Sequence, residues 1–132
     1  MTFEEGLIQR YFDALNKHDV EGVMACLHEH PMIVDVNGQR YQGRVEVRQY
    51  FEAGRALMPD GRYDVWTVTG YSGHGMAESL FRGTQLGTGR VVEALGAEIL
   101  EIKDGRIKEI RDYHRPTGTK GPDEAVHFPK KA

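Results

Sequence analysis

The 132-residue sequence predicts a single α+β domain, with three N-terminal helices packed on the concave side of a curved, mostly antiparallel sheet. Two observations predict this architecture. Apolar residues recur at helical spacing over residues 3–58, and β-branched and aromatic runs separated by glycine turns follow. Because short helices cannot fill a strongly curved sheet, we expect a cone-shaped cavity between the two layers.

The first helix is predicted to begin at a capping box. Thr2 occupies the position of a helix N-cap, and Glu5 follows three residues later. The apolar residues that come next recur at helical spacing and form one face: Leu7, Ile8, Tyr11, Phe12 and Leu15. The domain is therefore expected to start with an amphipathic helix.

A second, short helix is expected after Asp19, which can cap it, and Pro31 blocks its continuation. Its apolar side is expected to consist of Val20, Val23, Met24 and Leu27. The segment "MIVDV" at 32–36 then predicts a short strand, closed by the turn signal Asn37-Gly38.

A third helix is predicted over residues 44–57, because apolar residues recur there at helical spacing and a Pro-Asp-Gly turn follows. Four β-strands are expected after it, over residues 62–71, 76–83, 90–102 and 106–115. Asp104-Gly105 is a tight hairpin signal between the last two, and Gly96 indicates a bend or bulge. Residues 1–115 would form the domain, and residues 116–132 a C-terminal tail, flexible or dependent on a partner.

Composition excludes several classes of function. The net charge of −3 arises from mixed charges, and no run of Lys and Arg interleaves with aromatics, so no nucleic-acid partner is predicted. No segment is apolar enough for a membrane helix, and the N-terminus does not resemble a signal peptide. The single cysteine, Cys26, suits a reducing cytoplasm. His28 and His30 lack a third ligand at a usual spacing, so neither a metal nor another cofactor is predicted.

The last predicted strand carries the clearest sign of chemistry. Its segment "EIRDYHRP" contains four consecutive residues that can donate, accept or move a proton, where a packing strand would carry apolar residues. Strand alternation puts Ile110, Asp112 and His114 on one face and Arg111 and Tyr113 on the other. Alternation alone leaves open which face looks inward.

Three segments resemble the ketosteroid-isomerase-like, or NTF2-like, superfamily, which includes the SnoaL-like polyketide cyclases. They are "RYFDALNKHDVEGV", "VDVNGQRYQGRVEVRQYF" and "IKDGRIKEI", and the resemblance extends over residues 5–115. It implies a cone-shaped α+β barrel. It also implies that the face with Ile110, Asp112 and His114 looks into the cavity. Because this fold hosts many reactions, the resemblance alone predicts no single activity.

The resemblance assigns roles to individual residues. Tyr11 matches the phenol that donates to the substrate oxyanion in ketosteroid isomerase, and Asp35 matches the general base of that family. Glu98 matches its second, protonated oxyanion donor. Asp112 and His114 match the acid–base groups of SnoaL-like cyclases. We expect these last two residues, with Asp35 and Tyr11, to be catalytic.

Substrate contacts are expected at five positions of the sheet: Trp66, Glu78, Glu98, Leu100 and Ile110. Simpler roles stay open for the polar candidates. Tyr11 could be a core residue, Asp35 could cap the turn that follows it, and Glu98 could face water. Asp112 and His114 could form a salt bridge with a neighbouring arginine at an exposed strand end.

The leading functional prediction is a cofactor-free acid–base enzyme that acts on a hydrophobic carbonyl compound by isomerisation, aldol-type cyclisation or elimination. Asp112 or Asp35 would be the base. The segment "RDY" at 111–113 is similar to limonene-epoxide-hydrolase-like proteins, which makes epoxide opening an alternative, although Ser79 and Phe81 stand where that family needs Arg and Asp. A noncatalytic binding or scaffold protein is the third possibility. A homodimer formed through the outer face of the sheet is expected in each case.

Overall fold

The computed structural model describes residues 1–117, which form three helices and six strands. The helices are α1 (Phe3–Asn16), α2 (Val20–Ala25) and α3 (Gly43–Leu57). The strands are β1 (Leu27–Val34), β2 (Arg40–Gln42), β3 (Arg62–Tyr71), β4 (His74–Thr84), β5 (Val91–Lys103) and β6 (Arg106–Pro116). The predicted α+β class is confirmed.

Local hydrogen bonds explain where the first two helices begin. The Thr2 hydroxyl accepts a hydrogen bond from the Glu5 amide at 3.0 Å, and the Glu5 carboxylate accepts one from the Thr2 amide at 3.0 Å. This is the predicted capping box. The Asp19 carboxylate accepts a hydrogen bond from the Gly22 amide at 2.9 Å and caps α2 as expected.

The six strands form one curved sheet in the order β2-β1-β6-β5-β4-β3. Only the β1–β6 pair within it is parallel, so the sheet is mostly antiparallel, as predicted. Its edges, β2 and β3, do not pair with each other. The sheet is therefore not a closed barrel, and the predicted cone is an open sheet that the helices cover on one side.

Three local predictions need correction. Strand β1 begins at Leu27, which the pattern assigned to the second helix, and Pro31 lies inside it. The β1–β6 register shifts between Leu27 and Met32, so Pro31 lies where the ladder is interrupted and no amide is needed. Strand β2 has three residues, too few for a periodic signal. The β4–β5 register runs without a shift through Gly96, so no bulge occurs there.

Side-chain size changes along the inner face of the sheet. Near the β5–β6 hairpin, Leu100, Ile107 and Ile110 are buried and pack in one core with Ile8 and Phe12 of α1. Towards the other end of β5, the inner residues become small, Gly96 and then Ala94, and Ser79 and Phe81 lie beside them on β4. One half of the interface between sheet and helices is therefore packed, and the other half is hollow.

Strand β6 includes the first residue of the predicted tail. Pro116 ends β6, and the Thr117 amide donates a hydrogen bond to the Glu93 carbonyl at 2.8 Å. The remainder of the predicted tail, residues 118–132, lies outside the described residues, so its expected flexibility stays a prediction. Within residues 1–117, none of the helices is long and apolar enough to cross a membrane.

Asn16 joins α1 to the edge of the sheet and offers a test of this packing. Its side-chain amide donates to the Tyr63 carbonyl at 2.8 Å, and its side-chain oxygen accepts from the Tyr63 amide at 2.7 Å. Asn16→Ala removes both bonds and leaves two part-buried backbone groups unpaired. We expect a loss of about 1–3 kcal/mol in the free energy of unfolding, measured by urea denaturation.

Asp13→Ala is the matched control, because Asp13 is an exposed residue on the same helix. Its free energy of unfolding should stay within about 0.5 kcal/mol of the parent value. Equal free energies of unfolding for Asn16→Ala and Asp13→Ala would contradict a stabilising role for the two hydrogen bonds between Asn16 and Tyr63.

Candidate active site

The hollow half of the domain is a cavity of about 990 Å³. Its wall contains aliphatic side chains and six aromatic ones, which are Tyr11, Tyr41, Tyr50, Phe51, Tyr63 and Phe81. Polar side chains that line the cavity on the sheet side include Asp35, just after β1, Ser79, Glu98, Asp112 and His114. Charged residues of β2, of α3 and of the α1–α2 turn also line it. An apolar enclosure with a few convergent polar groups is the usual form of a small-molecule site.

Cross-strand register brings three titratable groups together. Glu98 of β5 is paired with Asp112 of β6, and Gly96 is paired with His114. Because side chains alternate along a strand, Glu98, Asp112 and His114 all project from the inner face into the cavity. The predicted orientation of this face of the last strand is confirmed.

His114 and Asp112 form a pair within the cavity. Nδ1 of His114 lies 3.2 Å from a carboxylate oxygen of Asp112, and the two side chains are only 33% and 16% exposed. The hydrogen bond to Asp112 raises the pKa of His114, against the opposing effect of burial. The expected alternative, a salt bridge to an arginine on a wet surface, does not describe this pair. Arg111 binds Glu101 and Glu109 on the opposite face instead.

Glu98 is a buried acid in an unfavourable place for a charge. It is 6% exposed, and its Oε1 atom has no hydrogen-bond partner within residues 1–117. Burial raises its pKa to about 8; the charge of Asp112 adds to the rise and His114 opposes it. At neutral pH, Glu98 therefore carries a proton that it can donate.

Tyr11 lies in the wall of the cavity, on the buried face of α1. Its ring packs edge-on against Phe12 and Phe51. Burial raises the pKa of Tyr11 well above its usual value, and nearby groups including Glu98 raise it further. Its hydroxyl is therefore a neutral donor, and the residue is both a core residue and a cavity residue.

Asp35 combines two of the roles that the sequence allows. One of its carboxylate oxygens accepts a hydrogen bond from the Val36 amide at 2.8 Å, as expected for a residue at the start of a turn. The same oxygen accepts a hydrogen bond from the Tyr50 hydroxyl at 3.1 Å, and Asp35 also lines the cavity. Tyr50 thereby links α3 to the end of β1.

The sequence profile of the SnoaL-like domain matches residues 8–110. This match covers most of the chain. The chain belongs to the SnoaL-like domain family. A comparison with curated proteins finds no match.

Solved structures share the architecture of this SnoaL-like domain at low sequence identity. A candidate polyketide cyclase from Xanthomonas campestris superimposes with a TM-score of 0.77 at 22% identity, over 84% of this chain and 89% of that chain. A candidate ketosteroid isomerase from Kribbella flavida gives a TM-score of 0.74 at 18% identity, over 98% and 90%. SalBIII, an epoxide hydrolase/cyclase-like enzyme of pyran ring formation in the polyether salinomycin, gives 0.76 at 15%, over 84% and 89%. At these identities, the likeness concerns the fold.

The SnoaL-like domain does not bring every expected contact residue to its cavity. Glu98 and Ile110 line it, whereas Trp66, Glu78 and Leu100 do not. Trp66 is the extra residue of a β-bulge between Val65 and Thr67, which turns it outward to 56% exposure. Glu78 is exposed on the outer face. Leu100 is on the inner face but fully buried in the packed half, closer to the hairpin.

The cavity residues that were absent from the expected site include three with hydroxyl groups, Tyr50, Tyr63 and Ser79. Burial raises the pKa of both Tyr50 and Tyr63, so each holds a neutral hydroxyl. Tyr50 had a signal in the sequence, since it lies on the apolar face of the predicted third helix. Tyr63 and Ser79 had none, because a strand residue reveals its depth only after the register is known.

The raised pKa of Glu98 makes the stability of the fold depend on pH. The ordinary pKa of a glutamate is 4.5, and that of Glu98 in the folded chain is about 8. At a pH between these two values, Glu98 keeps its proton in the folded chain and loses it in the unfolded chain. This stabilising contribution is complete below pH 4.5 and is lost as pH rises through about 8. Glu98→Gln keeps the shape but cannot ionise. We expect it to match the parent at pH 5 and to exceed its free energy of unfolding by a few kcal/mol at pH 9.

Urea denaturation over this pH range measures the difference between the two proteins. Glu93→Gln is the control, because Glu93 lies on the outer face and is bound to Arg82 at 2.9 Å. A Glu98→Gln variant whose stability tracks the parent across the whole pH range would show that Glu98 ionises freely.

Proposed function

We propose that this SnoaL-like domain is an acid–base enzyme, without a cofactor, for a hydrophobic carbonyl compound. The single observation that carries the proposal is the cross-strand pair of Glu98 on β5 and Asp112 on β6, two carboxyl groups in different environments. Glu98 is held protonated by burial, and next to it Asp112 is hydrogen-bonded to His114. A base and a proton donor in one cavity are what proton transfer beside a carbonyl needs.

In the proposed reaction, the Asp112 carboxylate removes a proton from the carbon beside the substrate carbonyl. The electron pair of that C–H bond moves into a new C=C bond, and the carbonyl oxygen becomes an enolate oxygen. Glu98 and Tyr11 donate hydrogen bonds to this oxygen, and His114 holds Asp112 in position. Return of the proton at another carbon gives isomerisation. Attack of the enolate on a second carbonyl gives an aldol-type ring closure, and loss of a neighbouring group gives elimination.

Asp112 is the better candidate base, and Asp35 is the second. The carboxylate of Asp112 faces Glu98 across the cavity floor and has His114 as its partner. One oxygen of Asp35 already accepts two hydrogen bonds, from Val36 and Tyr50. These two hydrogen bonds occupy that oxygen and leave it less available to take a proton from the substrate.

Epoxide opening is the second candidate reaction. The relative SalBIII is described as epoxide hydrolase/cyclase-like. A protonated Glu98 could donate its proton to an epoxide oxygen as the ring opens. Ser79, however, occupies a cavity position at which an arginine would be needed to bridge two aspartates for attack by water. Opening by a hydroxyl group of the same substrate would not need that arginine.

Exchange of the protons beside a ketone group tests the leading proposal without knowledge of the natural substrate. The bicyclic ketone 2-tetralone is incubated with the protein in D₂O, and loss of its α-proton signals is followed by NMR. We expect Asp112→Asn to slow the protein-dependent exchange by about 10²–10⁴-fold and Tyr11→Phe to slow it by about 10²-fold. Asp35→Asn should have a smaller effect than Asp112→Asn. The rate should fall as pH rises through about 8, where Glu98 loses its proton.

Tyr71→Phe is the control for Tyr11→Phe, since Tyr71 is 71% exposed at the end of β3. Its exchange rate should equal that of the parent. Exchange no faster than in buffer would overturn the acid–base proposal and favour a noncatalytic binding protein. Exchange equally fast in the parent and in Asp112→Asn would exclude Asp112 as the base.

A second copy of the chain is the proposed partner of the outer face of the sheet. Trp66 of β3 and Tyr113 of β6 are 56% and 58% exposed there. The cross-strand partners Leu80 and Leu95, which are only partly buried, lie on the two strands between them. We expect the parent protein to be a homodimer at micromolar concentration, measured by light scattering. Trp66→Glu should be a monomer, because it places a charge in the proposed interface. Leu86→Glu, which alters an exposed loop residue away from this face, should stay dimeric. A monomeric parent, or a dimeric Trp66→Glu variant, would exclude this interface.

A further inference from the structure

Gly96 leaves a gap in the floor of the cavity. It lies on the inner face of β5, between Ser79 of β4 and His114 of β6, which are its cross-strand partners. A Cβ atom added at Gly96 would lie 3.4 Å from Cβ of His114 and 3.7 Å from Oγ of Ser79. Because Gly96 has no side chain, a ligand can approach the backbone of β5 here, beside the Ser79 hydroxyl group.

The backbone does not explain why this position is a glycine. The distances of 3.4 Å or more from an added Cβ to its neighbours are ordinary van der Waals contacts, so alanine would fit. Gly96 is also absent from the glycines with positive φ. A glycine inside a strand weakens the strand because it adds backbone freedom and no packing. The open space itself is thus the feature that a glycine provides here.

The polar groups around the gap indicate what fills it. Ser79 is 1% exposed, yet none of the hydrogen bonds formed within residues 1–117 uses its hydroxyl. Glu98, two residues along the same face, is 6% exposed and has an unpartnered Oε1 atom. His114 uses Nδ1 for Asp112, which leaves Nε2 without a protein partner in the described part of the chain. Buried polar atoms are normally paired, and among the described residues Oε1 of Glu98 is the buried side-chain atom left without a partner, so we expect a ligand to place a polar atom in this part of the cavity.

We propose that the gap over Gly96 is a subsite for one oxygen atom of the substrate, a carbonyl or hydroxyl oxygen bound by the Ser79 hydroxyl. An oxygen in van der Waals contact with the Gly96 Cα atom can lie within hydrogen-bond distance of Oγ of Ser79, which is 3.7 Å from the position that a Cβ at Gly96 would occupy. The subsite rests on the proposed function, because it belongs to the same cavity. It extends that function by requiring a substrate with a second oxygen beside the one that becomes the enolate. Ser79 is then a specificity-determining residue.

Binding of naphthols tests the subsite separately from catalysis. 2-Naphthol offers one oxygen as an enolate mimic, and the dihydroxynaphthalene isomers add a second oxygen at different positions. We expect at least one isomer to bind about fivefold to tenfold more tightly than 2-naphthol, measured by fluorescence titration. Ser79→Ala should abolish this gain, because the donor is lost. Gly96→Ala should also abolish it, because the added methyl occupies the gap, while 2-naphthol binding changes little in either variant.

Gly6→Ala is the matched control, since it adds the same methyl group to an α1 residue outside the cavity. Circular dichroism and thermal unfolding of each variant confirm that it is folded before the titrations. A crystal of the tightest complex should show a ligand oxygen over Gly96 within hydrogen-bond distance of Ser79. An ordered water that remains in the gap beneath the bound ligand would overturn the subsite.

The two proposals fail in different ways. If 2-naphthol binds but no isomer gains affinity, or if the gain survives in Ser79→Ala, the subsite is wrong and the acid–base function is unaffected. If the gain is present and requires Ser79, but 2-tetralone exchange is absent, the subsite stands in a binding protein and the proposed catalysis is wrong.

Discussion

The site depends on a gradient of side-chain size along the inner face of the sheet. Large residues such as Leu100 and Ile110 fill the space under α1 near the β5–β6 hairpin. Small residues such as Ala94 and Gly96 follow towards the other end of β5. Small residues leave a cavity where large ones would have completed the core between sheet and helices. The packed half supplies the stability that allows the other half to stay empty.

This gradient also sets the electrostatics. Glu98 lies at the boundary between the packed half and the cavity, where it is too deep for full hydration and too far from Arg111 for a salt bridge. Asp112 is directly opposite it on β6 and has His114 as a partner. Two carboxyls so close cannot both ionise at low cost, and burial together with the charge of Asp112 raises the pKa of Glu98, the more deeply buried of the two. Register and depth therefore divide the acid and base roles between two chemically similar residues.

The sequence predicted the features that depend on local signals. The Thr2 capping box, the bounds of the third helix and the Asp104-Gly105 hairpin are confirmed by the structure. Alternation correctly grouped Asp112 with His114, and the family resemblance correctly turned that face inward. Each of these conclusions needs only residues close together in the chain, or a known fold to orient them.

Depth and register could not be predicted, and they account for the errors. Leu100 and Glu98 share the inner face of β5, yet Leu100 lies in the packed core and Glu98, two residues away, lines the cavity. Alternation predicts the face of a strand residue but not its position along the strand relative to the cavity. The bulge that turns Trp66 outward shifts the phase of β3, and nothing in "DVWTV" marks it. In the sequence, Ser79 was noted only because limonene-epoxide-hydrolase-like proteins need a different residue at this position. Its position beside Gly96 and His114 follows from pairing three strands that are far apart in sequence.

A purely apolar binding pocket would not explain the interior of this cavity. Keeping Glu98 at this depth costs folding free energy at neutral pH, because its charged form is excluded and its Oε1 atom has no partner in the described residues. A glutamine or a leucine at the same position would avoid the penalty of ionisation. Ser79, beside Gly96, adds a neutral hydroxyl to the same part of the cavity. Polar groups of neighbouring strands, gathered in a cavity that also contains aromatic rings, suit a ligand with oxygens on one edge. Proton transfer at that edge is the chemistry that its carboxyls, imidazole and phenol can perform together.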